Sequence, residues 1–182
     1  MHSIRILRTT LGILLLVTVM FGQSVQKATP SPSASKAPKQ LPADLKDFFI
    51  GEWSGAGEFS NGKKIEADVS FSADLDNQWL SYSHTDRLPN KYKARGMWGF
   101  DRESGKFVML LNDNFGGARL FVSDGWADGK IVFNRERLLA ALSVAERFTF
   151  ARESASSFRM TYETSRDEKA WRLGDYLTFK RK

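Results

Sequence analysis

The feature that most constrains this chain is the spacing of its turn signals, which recur from Glu52 onward at roughly the 8–12-residue interval of an up-and-down β protein. Asn61-Gly62, Asp76-Asn77, Leu88-Pro89-Asn90, Asp101 to Gly105, Asn114 to Gly117 and Asp128-Gly129 each interrupt a run rich in β-branched and aromatic residues. Ser154-Ala155-Ser156 and Arg166-Asp167-Glu168 do the same further on. Between these breaks the sequence predicts ten strands: 52–60, 63–74, 78–86, 91–100, 106–112, 118–124, 130–136, 145–152, 157–164 and 170–180. Residues 137–144, built on Leu138 to Leu142, read as a helical turn or an irregular corner. An antiparallel meander of this length closes on itself, because closure removes sheet edges that would otherwise aggregate.

Gly51-Glu52-Trp53-Ser54-Gly55-Ala56-Gly57-Glu58-Phe59 is the expected first strand, with Trp53, Gly55 and Gly57 on one face. Two glycines there leave room for a neighbouring segment or a sharp bend. Before it, Pro42 and the apolar residues 41, 45, 48 and 49 have helical spacing, and Gly51 is placed to end the helix. The expected fold is all-β, a ten-stranded antiparallel up-and-down β-barrel, with this short N-terminal helix plugging one end.

Residues 1–24 read as a secretory signal peptide. Arg5 and Arg8 precede an apolar run from Leu11 to Gly22, and small residues at Gly22 and Ser24 suit a cleavage site. That run falls short of the roughly 20 residues that span a bilayer, which disfavours stable membrane insertion. Residues 25–40 hold three of the five prolines among Ser, Ala and Lys, a composition too polar to offset ordering entropy, so they read as a disordered linker before a barrel domain at 41–182. The expected location is periplasmic or extracellular.

Charge and cysteine content exclude whole classes of function. Five of the 27 Lys and Arg (Arg5, Arg8, Lys27, Lys36, Lys39) lie ahead of the barrel, leaving 22 against 21 Asp and Glu, so no nucleic-acid surface is expected. The chain has no Cys, hence no disulfide, thiolate metal site or Cys nucleophile. Phosphate loops, Gly-x-Ser-x-Gly elbows and HExxH motifs are also absent from the sequence, and the reading leans away from an enzyme.

His84 is the one imidazole beyond the leader, sharing a strand face with Leu80, Tyr82 and Asp86. It reads either as a metal or haem ligand or as a hydrogen-bonded strand residue. Arg95, Arg119, Arg135 and Arg147 fall within strands; any that points inward must meet a carboxylate or an anionic ligand. Asn112 to Gly117 and Asp124 to Gly129, the latter with Trp126 at a rim, read as sites for a cation or a polar head group, or as plain turns. Glu136 and Glu146 read as acid/base candidates or as ion-pair partners of Arg135 and Arg147.

Gly51-x-Trp53-x-Gly55-x-Gly57 after a short helix, with Gly96-x-x-Gly99-Phe100-Asp101 and Lys106-Phe107, resembles a bacterial secreted family of unknown function related to nitrobindin and lipocalin-like (calycin-type) barrels. The resemblance implies a ten-stranded barrel with an internal cavity. In nitrobindins that cavity holds haem through a His on a late strand, where this chain has Trp171-Arg172-Leu173-Gly174-Asp175 instead. It also implies that an Arg from the end of the chain, Arg172 or Arg181, stacks on Trp53. The functional expectation is a binding protein for a small hydrophobic or amphipathic molecule, lined by Trp79, Tyr82, Arg95, Trp98 and Arg119, with no resident cofactor. Haem or metal held by His84, and a filled-barrel interaction module working as a homodimer, are the alternatives.

Overall fold

The computed structural model describes residues 40–139 and 142–182. The expected leader and, but for Gln40, the expected linker lie outside the described residues. Helix α1 (Ala43–Phe49) leads into β1 (Gly51–Phe59), β2 (Lys64–Asp74), β3 (Trp79–Asp86), β4 (Lys93–Phe100), β5 (Phe107–Asp113), β6 (Ala118–Ser123), β7 (Lys130–Leu139), β8 (Leu142–Ser154), β9 (Ser157–Ser165) and β10 (Arg172–Arg181). Each strand pairs antiparallel with its neighbour in sequence, and β1 pairs with β10, so the ten strands form one closed barrel. The sequence expectation holds in strand number and order. The exception lies in the expected corner at 137–144: its described residues, 137–139 and 142–144, continue β7 and β8, which remain paired down to Leu139 and Leu142.

Alternation sorts the side chains. Along β3 every second residue, Leu80, Tyr82, His84 and Asp86, is buried. The same phase puts Phe107, Met109 and Leu111 of β5 inside and leaves Leu110 exposed. Two glycines let β1 close against β10. A Cβ on Gly55 would stand 2.4 Å from the Phe179 ring, and one on Gly57 would stand 1.8 Å from the Tyr176 carbonyl oxygen. The room that the glycine pair provides is occupied by the last strand.

Helix α1 seals the end of the barrel at which β1 begins. Pro42 supplies the helix entry and Gly51, at φ +129°, turns the chain out of it. Leu45, Phe48 and Phe49 are buried among Trp53, Phe71, Trp98, Phe150 and Phe158, whose rings meet mostly edge to face. Arg181 fixes this plug. Its guanidinium carbon sits 4.2 Å from the Trp53 ring centroid, while Nη1 donates to the Ile50 carbonyl at 2.8 Å and Nη2 donates to the Phe48 carbonyl. Trp53 Nε1 donates to the Phe49 carbonyl at 2.8 Å, so the helix C-terminus is capped by side chains from the first and last strands. Arg181, not the exposed Arg172, is the arginine stacked on Trp53. Trp126 belongs to this end as well, donating to Asp44 at 2.6 Å and packing on Phe49.

Two substitutions test the closure. Gly57→Ala drives a Cβ into backbone that cannot turn aside and is expected to cost about 3 kcal/mol or more, whereas Gly99→Ala meets the outer-face ring of Trp79 and is expected to cost less. Equal losses in urea unfolding would show that the β1–β10 approach is not specially tight. Arg181→Met keeps the stem but loses the stacking and both carbonyl bonds, and is expected to cost about 2–3 kcal/mol in the same assay.

Candidate functional site

The barrel interior is divided along its axis. Toward α1 it is a continuous aromatic core; toward the other rim, where β1 ends at Phe59, it holds a cavity of about 320 Å³. Ile65, Met109, Leu111, Phe150, Met160 and Leu177 form its apolar wall, and Phe59, Tyr92, Phe115, Phe148 and Tyr162 bring aromatic rings to it. Asn90 and Lys91, from the loop between β3 and β4, stand at its mouth beside the exposed Phe115.

Polar groups enter this cavity in sets fixed by strand phase. On β3, His84 Nε2 lies 2.8 Å from Asp86 Oδ1 and Nδ1 lies 2.9 Å from the Tyr82 hydroxyl. With Nε2–H donating to the carboxylate, Nδ1 accepts from Tyr82, and one tautomer satisfies the whole line. Burial pushes the Tyr82 phenol well above its ordinary range, so it stays a donor. Next to it, with the Tyr92 ring centroid 5.5 Å from that of His84, Arg119 Nη2 donates to Asp113 at 2.8 Å and to the Tyr92 hydroxyl at 3.0 Å. On β7 to β9, Arg135 donates to Glu146 at 3.1 Å, and the hydroxyl of the cavity-lining Tyr162 donates to the other Glu146 oxygen at 3.0 Å. Each arginine therefore meets a carboxylate, as a charge in a low-dielectric interior must.

Asp175 stands apart. It lies on β10 in phase with the buried Leu177 and Phe179, lines the cavity, and receives no hydrogen bond at its carboxyl among the described residues. Burial, helped by the charge of Asp86, pushes its carboxyl up to about 7.

The expected lining residues separate cleanly. Tyr82 and Arg119 line the cavity. Trp98 is fully buried in the aromatic core below it, with an indole N–H that has no partner among the described residues. Trp79 lies on the outer wall, covering Gly99, and Arg95 is exposed on the outer face of β4, donating to the Ala94 carbonyl at 3.0 Å. Strand parity is the reason: in β3 position 79 cannot share a face with 82, nor in β4 position 95 with 98. Arg147 pairs with Glu163 at 2.7 Å, away from the cavity wall, and the Glu136 side chain lies outside the described residues. Asp113 accepts from the amides of Phe115 and Gly117, so the 112–117 segment is a hydrogen-bonded turn. Among the described residues no group of three or more His, Cys, Asp and Glu is arranged to hold a metal ion, and no helix is long and apolar enough to cross a membrane.

Asp175, Tyr92 and Tyr162 were not among the expected ligand-binding residues. An acid two residues before Leu177 and four before Phe179 carries the signal for Asp175, but a bulge between Leu173 and Asp175 breaks the phase for anyone counting from Trp171.

No family model and no curated protein matches this chain. Among solved structures it is similar to Rv2717c from M. tuberculosis, with a TM-score of 0.53 and 13% identity over 79% of this chain and 99% of that one. At that identity the likeness concerns the barrel fold alone.

The Asp175 carboxyl gives a pH test. Its pKa is raised from 3.8 to about 7 in the fold, so its contribution to stability is full below about pH 4 and is lost as pH rises through 7. The loss amounts to at most about 4 kcal/mol by linkage. Asp175→Asn is expected to be more stable than the parent at pH 8 and to flatten the decline between pH 5 and 8 in chemical unfolding. A variant that tracks the parent across that range would show Asp175 to be solvated.

Proposed function

We propose that this chain is an exported binding protein that holds a small amphipathic molecule in the mouth half of its barrel. The observation that carries the reading is the cavity itself: one half of the interior is filled with interlocking rings, while the other keeps about 320 Å³ open between aromatic walls and a few placed polar groups. Ligand sites of this kind run from about 300 to 1,000 Å³, so the occupant is small. The resemblance of the sequence to nitrobindin and lipocalin-like barrels supports the same reading, and the leader-like first 24 residues support export.

Haem through His84 is the weaker reading. Both ring nitrogens of His84 are engaged in the β3 line, and coordination would cost one of those bonds inside the wall. An interaction module with a filled barrel does not account for the open half.

The test is to purify the full chain and record its absorption spectrum and native mass, with Leu111→Trp, which places an indole in the cavity, as the comparison. A releasable small molecule on the parent, absent from the variant, is the expected result. A Soret band lost in His84→Ala would replace this reading with the haem one. A parent and variant that are both empty and both fail to take up an apolar fluorescent probe would overturn it.

A further inference from the structure

The cavity has a charge preference that its arginine conceals. Arg119 is the cationic side chain of its inner wall, and a fatty-acid-like carboxylate would seem its natural guest. Its charge is already balanced: Nη2 donates to Asp113 and Tyr92, and Nε, which has no partner among the described residues, is buried where no ligand oxygen can reach it. The guanidinium lies 5.9 Å from the Phe121 ring centroid on its other side.

The unspent groups are acidic. Asp86 has a side chain only 2% exposed and uses Oδ1 on His84, while its second oxygen has no partner among the described residues. Asp175 has no hydrogen bond at either oxygen among them, and the two carboxyls are close enough for the charge of Asp86 to act on it. Around them stand the rings of Phe59, Tyr92, Phe148 and Tyr162, whose π faces attract cations and repel anions. A carboxylate guest would meet two further acids and a guanidinium whose charge Asp113 already balances; an ammonium group would meet two acceptors and aromatic faces.

Resting on the reading of the cavity as a ligand site, we propose that its occupant is a protonated amine of aromatic or short-chain type, its N–H groups held by Asp175 and Asp86 and its apolar part lying against Met109, Leu111 and Met160. Lys91 at the mouth does not oppose this from within, since it lies on the rim loop and is exposed. Binding of the cation neutralises a cavity carboxyl, Asp175, that has no hydrogen bond among the described residues, which a carboxylate or a neutral guest cannot do.

Three probes of one shape decide the matter: tryptamine, 3-ethylindole and indole-3-propionate, titrated calorimetrically into the full chain at pH 8. The expected result is that tryptamine binds at least tenfold more tightly than 3-ethylindole, that indole-3-propionate binds more weakly still, and that Asp175→Asn removes the advantage of tryptamine. Asp86→Asn serves as a second variant, and thermal unfolding of each confirms that it is folded. Equal binding of all three probes, or tighter binding of the acid, with every signal lost in Leu111→Trp, would overturn the amine assignment and leave the cavity reading intact. No binding of any probe, in parent or variant, would overturn both.

Discussion

Everything in this barrel depends on bringing its last strand against its first. A ten-stranded sheet that fails to close leaves two unpaired edges and an interior open along its length. Here the closing seam is made of complementary absences and presences. Gly55 and Gly57 carry no side chain where Phe179 and the Tyr176 carbonyl approach, and Arg181, one residue from the end of the chain, reaches over Trp53 to the carbonyls of α1. The seam and the plug are thus one device. Because Arg181 bonds the C-terminal carbonyls of the helix that precedes β1, the first and last strands are tied by side chain as well as by ladder.

That device also sets where the open half can be. With one end plugged by Leu45, Phe48 and Phe49, apolar burial is concentrated there, and at about 25 cal/mol per Å² of apolar surface the stacked rings supply the main drive for folding. The mouth half is then relieved of that duty. It can carry polar side chains inward at Asp86, Asp113, Arg119, Arg135, Glu146 and Asp175, which would be intolerable if they had to pack against one another without partners.

The fold was legible because strand number, strand order and the plug follow from turn spacing, period-two alternation and one short helical run. The glycine pair in β1 pointed to a close approach before the approaching strand was known. The site was less legible, for a geometric reason. Parity within a strand says which residues share a face, and it would have separated Trp79 from Tyr82 and Arg95 from Trp98; it does not say at what height along the barrel a side chain sits. Trp98 faces inward and yet lies in the sealed core, while Tyr82, paired two rungs away, reaches the cavity. Nor does a sequence reveal that Arg119 is neutralised by Asp113, six positions earlier across a hairpin. The arginines therefore suggested an anion site, and the carboxylates they meet balance the charge that suggested it.

Asp175 is where stability and binding pull apart. A carboxyl in the inward phase of β10 gains no hydrogen bond from the fold and suffers both desolvation and the charge of Asp86, so near neutral pH it weakens the native state. Asn or Leu at that position would remove the penalty without disturbing the ladder. For the amine proposed above, the same side chain would offer a carboxyl that need not first be stripped of a protein partner. Pre-paid desolvation of this kind favours tight binding by a cavity of only about 320 Å³, which has too little apolar area to hold a guest by burial alone.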